Sequence, residues 1–100
     1  MRTFRKVESS GSMLFDCNVA VCWQIEMVSH VDTPRIRNII PGVLYTFIIH
    51  QDAKGGYKFT WPVQCENGTA VNPAPNSYTV QNFVGMYGGT MRADIPATYQ

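Results

Sequence analysis

Residues 13–28 read MLFDCNVAVCWQIEMV, and their period decides the fold class. Met13, Phe15, Cys17, Val19, Val21, Trp23, Ile25 and Met27 fall on one face of an extended chain. Asp16, Asn18, Gln24 and Glu26 fall on the other, with Leu14, Ala20, Cys22 and Val28 among them. Successive strand residues point to opposite faces, so this is the pattern of a half-buried strand. A helix would scatter the same apolar residues around its circumference. A single strand of this length needs a bend or bulge, expected near Ala20 or Cys22.

Working outward, residues 29–42 are a connection punctuated by Pro34 and Pro41-Gly42. Residues 43–51 (VLYTFIIHQ) are β-branched and aromatic in a nearly unbroken apolar run, as in a central strand. Asp52-Ala53-Lys54-Gly55-Gly56 is an Asp-led turn whose side chain can accept from the turn's N–H groups. Tyr57-Lys58-Phe59-Thr60-Trp61 alternates again, so the three pieces predict a β-hairpin with its aromatic rings facing the first strand. Pro62 closes that second strand. Residues 64–77 are a long loop, 78–84 (YTVQNFV) a strand, and 90–95 a last short strand after Gly88-Gly89. No segment has a helical period. The expected architecture is all-β: a single antiparallel β-sandwich, jelly-roll-like, over residues 13–95. Residues 1–12 are expected as a polar, basic arm and 96–100 as a short tail.

Composition narrows the function classes. One hundred residues make one domain with a modest core. Only 15% of residues are charged, below a typical ~25%, which favours a protein that assembles over a freely diffusing one. The net charge is +1, and the basic residues are scattered beyond Arg2, Arg5, Lys6 and the pair Arg35 and Arg37, so no nucleic-acid partner is expected. No apolar run approaches the ~20 residues of a membrane span, and no apolar segment follows the basic start as in a secretory leader. Cys17, Cys22 and Cys65 have no metal-binding spacing and read as small buried hydrophobes in a reducing compartment. Asn67-Gly68-Thr69 fits a glycosylation sequon and reads as a turn.

The middle of the chain resembles a β-sandwich module that recurs in bacteriophage tail-fibre, tail-spike and other virion structural proteins. The residues concerned are Asn38-Ile39-Ile40-Pro41-Gly42, Tyr45-Thr46-Phe47-Ile48-Ile49, Gln51-Asp52, Lys54-Gly55-Gly56, Phe59 and Trp61-Pro62. Asn76, Val80, Phe83 and Val84 continue it. The resemblance runs from about Phe15 to Tyr87. It implies a non-catalytic part of a homotrimeric appendage, located in the virion after synthesis in the host bacterial cytoplasm. No fibre-forming region is expected before the module and the first residues are basic, which points to capsid decoration or a small tail component. Partners are then other copies of the chain and other virion proteins. Expected assembly contacts are Arg2, Phe4, Arg5, Lys6, Asn67, Pro73 and Tyr87, all outside the predicted core.

Chemistry-bearing residues offer little else. His50 and Asp52 share a strand face, but no Gly-x-Ser-x-Gly elbow accompanies them, and Ser29 and Ser77 lie in turns. His30, Asp32 and His50 fall short of a convincing metal set. Asp16 and Glu26 would lie roughly 33 Å apart along one straight strand, too far for a glycosidase pair unless the strand folds back. No catalytic, metal or cofactor site is expected. The alternative function is a carbohydrate-binding module, with Trp23, Tyr57, Trp61, Tyr78 and Tyr87 as candidate stacking rings.

Overall fold

The computed structural model describes residues 3–93, which form strands and no helix. They are β1 Phe4–Glu8, β2 Leu14–Asp16, β3 Cys22–Met27, β4 Arg35–Arg37, β5 Leu44–Gln51, β6 Cys65–Glu66, β7 Tyr78–Met86 and β8 Thr90–Ala93. Six of them make one sheet in the order β1-β3-β5-β7-β8-β6, and β2 and β4 make a separate two-stranded ribbon. The mainly-β expectation therefore stands.

The expected antiparallel pairing is corrected. β1, β3 and β5 run parallel, β7 is antiparallel to β5 and to β8, and β6 is parallel to β8. Parallel neighbours need a crossover between them. The crossover from β1 to β3 contains β2, and that from β3 to β5 contains β4, with β2 and β4 paired to each other. A strand pair does here what crossover helices do in α/β proteins.

The ribbon lies over one face of the sheet. On that inner face β5 buries Tyr45, Phe47, Ile49 and Gln51, β3 buries Trp23, Ile25 and Met27, and β7 buries Phe83. From the ribbon, Phe15 meets Trp23 edge-on at 5.3 Å and Phe47 at 5.2 Å between ring centres. Ile36 of β4 is buried beside it. Trp61 completes the cover, 5.4 Å from Phe47 and 5.1 Å from Phe83.

The predicted long strand is thus two strands in two layers. Asp16 ends β2: its carbonyl accepts from Val19 and Ala20, and its Oδ1 accepts from the Asn18 N–H at 3.0 Å. Phe15 and Cys17 enter the core from the ribbon side and Trp23, Ile25 and Met27 from the sheet side, while the period-2 pattern breaks at the turn, where Ala20 is buried out of phase. Val19, at the turn, is exposed.

The predicted hairpin is also corrected. A strand has two edges, and those of β5 are taken by β3 and β7. The chain at Tyr57 is held instead by the fully buried Gln51 side chain. Its Nε2 donates to the Tyr57 carbonyl at 2.9 Å, and its Oε1 accepts from the Tyr57 N–H at 3.3 Å. Phe59 makes only an isolated bridge to Val31. The Asp52 turn itself forms as expected, with Oδ1 accepting from Lys54 at 2.9 Å and Gly55 at 3.0 Å. Gly55 has φ 68° and packs against the backbone of Pro73 and Pro75, where a Cβ would not fit.

The leader does not stand apart as an arm, because Phe4–Glu8 form an edge strand of the sheet. Ser9 fastens its end. The Ser9 hydroxyl accepts from the Val28 and Ser29 N–H groups at 2.9 and 3.0 Å and donates to the Ser29 carbonyl at 2.9 Å. Its hydrogen-bonding capacity is filled, and the residue is buried.

Two predictions follow from these anchors. Ser9→Ala should lower unfolding stability by about 1–3 kcal/mol in urea titrations, since it strands two N–H donors; an effect near zero would show that the clasp is dispensable. Asp16 has its pKa lowered from 3.8, first by the Asn38 amide, then by the Asn18 N–H, with Arg37 adding at 3.2 Å. The lower folded value means that ionised Asp16 stabilises the ribbon fully above the unfolded pKa, near about 4, and that this contribution fades as pH falls through the folded value. Asp16→Asn should therefore flatten the acid limb of the stability profile.

Candidate interaction face

Alternate residues of β1, β3, β5 and β7 point away from the ribbon, and none of them is buried. Among the described residues, no segment covers this outer side of the sheet. Its centre is a ladder between β5 and β7: Leu44 opposite Val84, Thr46 opposite Asn82, Ile48 opposite Val80, and His50 opposite Tyr78. Val80 and Tyr78 are each 59% exposed. The Thr46 hydroxyl donates to Asn82 Oδ1 at 2.7 Å, so this polar rung is satisfied within the sheet. The aliphatic rungs are left facing outward.

The ladder has a charged rim on either side. Toward β1 the rows are Cys22 with Phe4, Gln24 with Lys6, and Glu26 with Glu8. Toward β6, Arg92 donates to Glu66 at 3.0 Å. At one corner His50 Nδ1 lies 2.8 Å from Glu26 Oε1, and the His50 ring stacks on Tyr78 at 4.1 Å. Gln24 donates to Glu26 Oε2 at 2.7 Å. That bond first, with His50 and Lys6 adding, holds the Glu26 carboxyl below its ordinary range.

The residues expected as assembly contacts are dispersed. Arg2 lies outside the described residues. Phe4 and Lys6 belong to the outer face, on its β1 margin, whereas Arg5 turns to the inner side and lines a groove with Val7, Leu14 and Trp23. Asn67, with φ 62°, sits in the turn after β6. Pro73 packs on Gly55. Tyr87 is 94% exposed in the β7–β8 turn. The sequence reading missed Leu44, Ile48, Val80 and Val84. A signal for two of them was present: the run 43–49 is apolar at odd and even positions alike, the mark of a strand covered on both faces.

The weighed catalytic and metal residues are employed separately. His30 Nδ1 accepts from the Lys58 N–H at 2.9 Å, Asp52 caps its turn, and Ser77 donates to the Asn72 carbonyl at 3.0 Å. Asp16 belongs to the ribbon over the inner face while Glu26 projects from the outer face, so the sheet stands between the two carboxylates. No group of three or more metal-ligating side chains occurs among the described residues. Burial pushes the Cys17 thiol up to about 11 and the Cys65 thiol up to about 12, so both stay protonated near neutrality.

The five candidate sugar-stacking rings do not form a row. Trp23 is buried, and half-buried Trp61 is committed to core rings while its indole N–H donates to Thr69 at 2.7 Å. Tyr57 meets His30, and the exposed Tyr78 and Tyr87 lie at opposite ends of β7.

No family model matches the chain, and no curated protein or solved structure is similar to it.

Proposed function

We propose that this chain is a non-catalytic structural module that works by burying the outer face of its sheet against a neighbouring protein of a bacteriophage particle. The observation that supports the reading is the outward aliphatic ladder of Leu44, Ile48, Val80 and Val84 on a sheet that the described residues cover from one side only. Parallel strands are almost always covered on both faces, and here β1, β3 and β5 are parallel. Fully burying a side chain such as Ile48 or Val80 contributes about 1.5–3 kcal/mol, so the ladder can supply much of a contact's free energy. The charged rim then fixes orientation more than strength. In this reading the ribbon and the six-stranded sheet are the two layers of a β-sandwich, and the partner supplies a third.

The viral setting is supported by the resemblance of the chain from about Phe15 to Tyr87, best from Tyr45 to Pro62, to the virion module. Within that setting the chain serves as a capsid-decoration or small tail component, made in the bacterial cytoplasm and carried on the particle. Specific contacts of this kind bury roughly 1,200–2,000 Å² in total, more than the ladder alone offers. The rim from Lys6 to Arg92 must take part.

The double variant Ile48→Lys, Val80→Lys tests this reading. Val80 is exposed and Ile48 partly exposed on the outward side of the sheet, so the thermal midpoint should stay within a few degrees of the native one. Purified particles of the encoding phage should contain the native chain by mass spectrometry and lose the variant. Particles that retain the double variant at the native level would contradict the role of this face.

A further inference from the structure

We propose that β1 is a self-recognition strand: its open edge pairs antiparallel with β1 of a second copy about a two-fold axis at Val7, setting Lys6 of each copy opposite Glu8 of the other. This goes beyond the reading of the outer face and does not depend on it.

β1 is the last strand on its side of the sheet, and no described segment pairs with its far edge. The direction of its backbone groups follows from two bonds to β3. The Thr3 carbonyl accepts from Cys22 at 3.3 Å, and the Ser9 N–H donates to the Glu26 carbonyl at 3.0 Å. In a parallel pair alternate residues bond to the neighbour. Thr3, Arg5, Val7 and Ser9 therefore turn toward β3, and the N–H and C=O groups of Phe4, Lys6 and Glu8 turn outward. An unpaired row of this kind is a template for another strand. The same three side chains lie on the outer face of the sheet, and Val7 packs toward the core.

A closed pair of identical strands requires a two-fold axis, and a continuous sheet requires opposed residues to share a face. Few registers satisfy both. An axis at Arg5 opposes Arg5 to itself, one at Lys6 opposes Lys6 to itself, and one at Glu8 opposes Glu8 to itself. An axis at Phe4 leaves Lys6 and Glu8 without partners among the described residues of the second copy. Of the axes centred from Arg5 to Glu8, only the one at Val7 opposes no like charges. It matches Lys6 with Glu8 twice, sets Arg5 opposite Ser9, and places the outward backbone groups of Lys6 and Glu8 in the hydrogen-bonded positions.

A second observation points the same way. Within one chain Glu8 lies beside Glu26 on neighbouring strands, and like charges side by side on one face are unfavourable. Lys6 of the second copy would arrive next to Glu8 and offset that repulsion. Lysine on an edge strand commonly blocks pairing. Here the opposite charge two residues away turns the block into a register selector.

Sedimentation equilibrium of the whole chain across a concentration series tests the proposal. A monomer–dimer equilibrium is expected. Glu8→Lys should raise the dimer dissociation constant about tenfold or more, because both cross-axis pairs become repulsive. The charge swap Lys6→Glu with Glu8→Lys should restore it. Lys6→Pro should abolish the dimer and keep the circular dichroism of the sheet, since the Lys6 N–H is not used within the chain. A monomer at every concentration, a trimer, or a charge-swapped chain as weak as Glu8→Lys alone would overturn the proposal. The ladder variant Ile48→Lys, Val80→Lys should dimerise normally, which separates failure here from failure of the outer-face reading.

Discussion

The structure depends on the ring of Phe47. It lies fully buried on β5 and meets Phe15 of the ribbon, Trp23 of β3, Trp61 of the covering segment and Phe83 of β7. Four parts of the chain that are distant in sequence are thereby tied to one side chain. Edge-on and stacked aromatic contacts of this kind add about 0.5–1.5 kcal/mol each beyond the area they bury. The two-residue period of β5 puts Tyr45 and Ile49 beside Phe47 on the same face and sends Leu44, Ile48 and His50 to the other. The core and the candidate interaction face are therefore two sides of one strand.

Much of this was legible in the sequence where it rested on local rules. The alternation from Met13 to Met27 correctly marks Met13, Phe15, Cys17, Trp23, Ile25 and Met27 as core but not Val19 or Val21, and the apolar run to Gln51 correctly marks a central strand. The turn at Asp52 and the strand from Tyr78 follow from turn chemistry and β propensity. What was not legible is non-local. Period two says that Phe15 and Trp23 point into a core, but not that they enter it from opposite layers. A Gly-rich turn after β5 says that the chain reverses, but not that β3 and β7 already hold both edges of that strand. The substitution of the Gln51 side chain for a strand neighbour at Tyr57 has no local signature, and neither does the recruitment of Phe4–Glu8 into the sheet.

The candidate face was hidden for the same reason. Residues outside a predicted core are natural candidates for contact, and that reasoning selected Asn67, Pro73 and Tyr87. Both strand-bearing crossovers, β2 and β4, lie on the inner side of the sheet. The apolar residues left over are consequently inside strands, on the side the crossovers do not reach. Ile48 and Val80 are strand residues by every local criterion, and only the topology turns them outward. The parallel arrangement also leaves β1 at a margin, where no described strand pairs with its far edge.

Residue-resolved carbene footprinting, on the isolated chain and on the same chain in the proposed assembly, measures most directly whether the outer face is a contact surface. Ile48, Val80 and Val84 are expected to be labelled in the isolated chain and protected in the assembly, with Phe47 unlabelled in both. Equal labelling of those three residues in the two states would contradict a buried outer face.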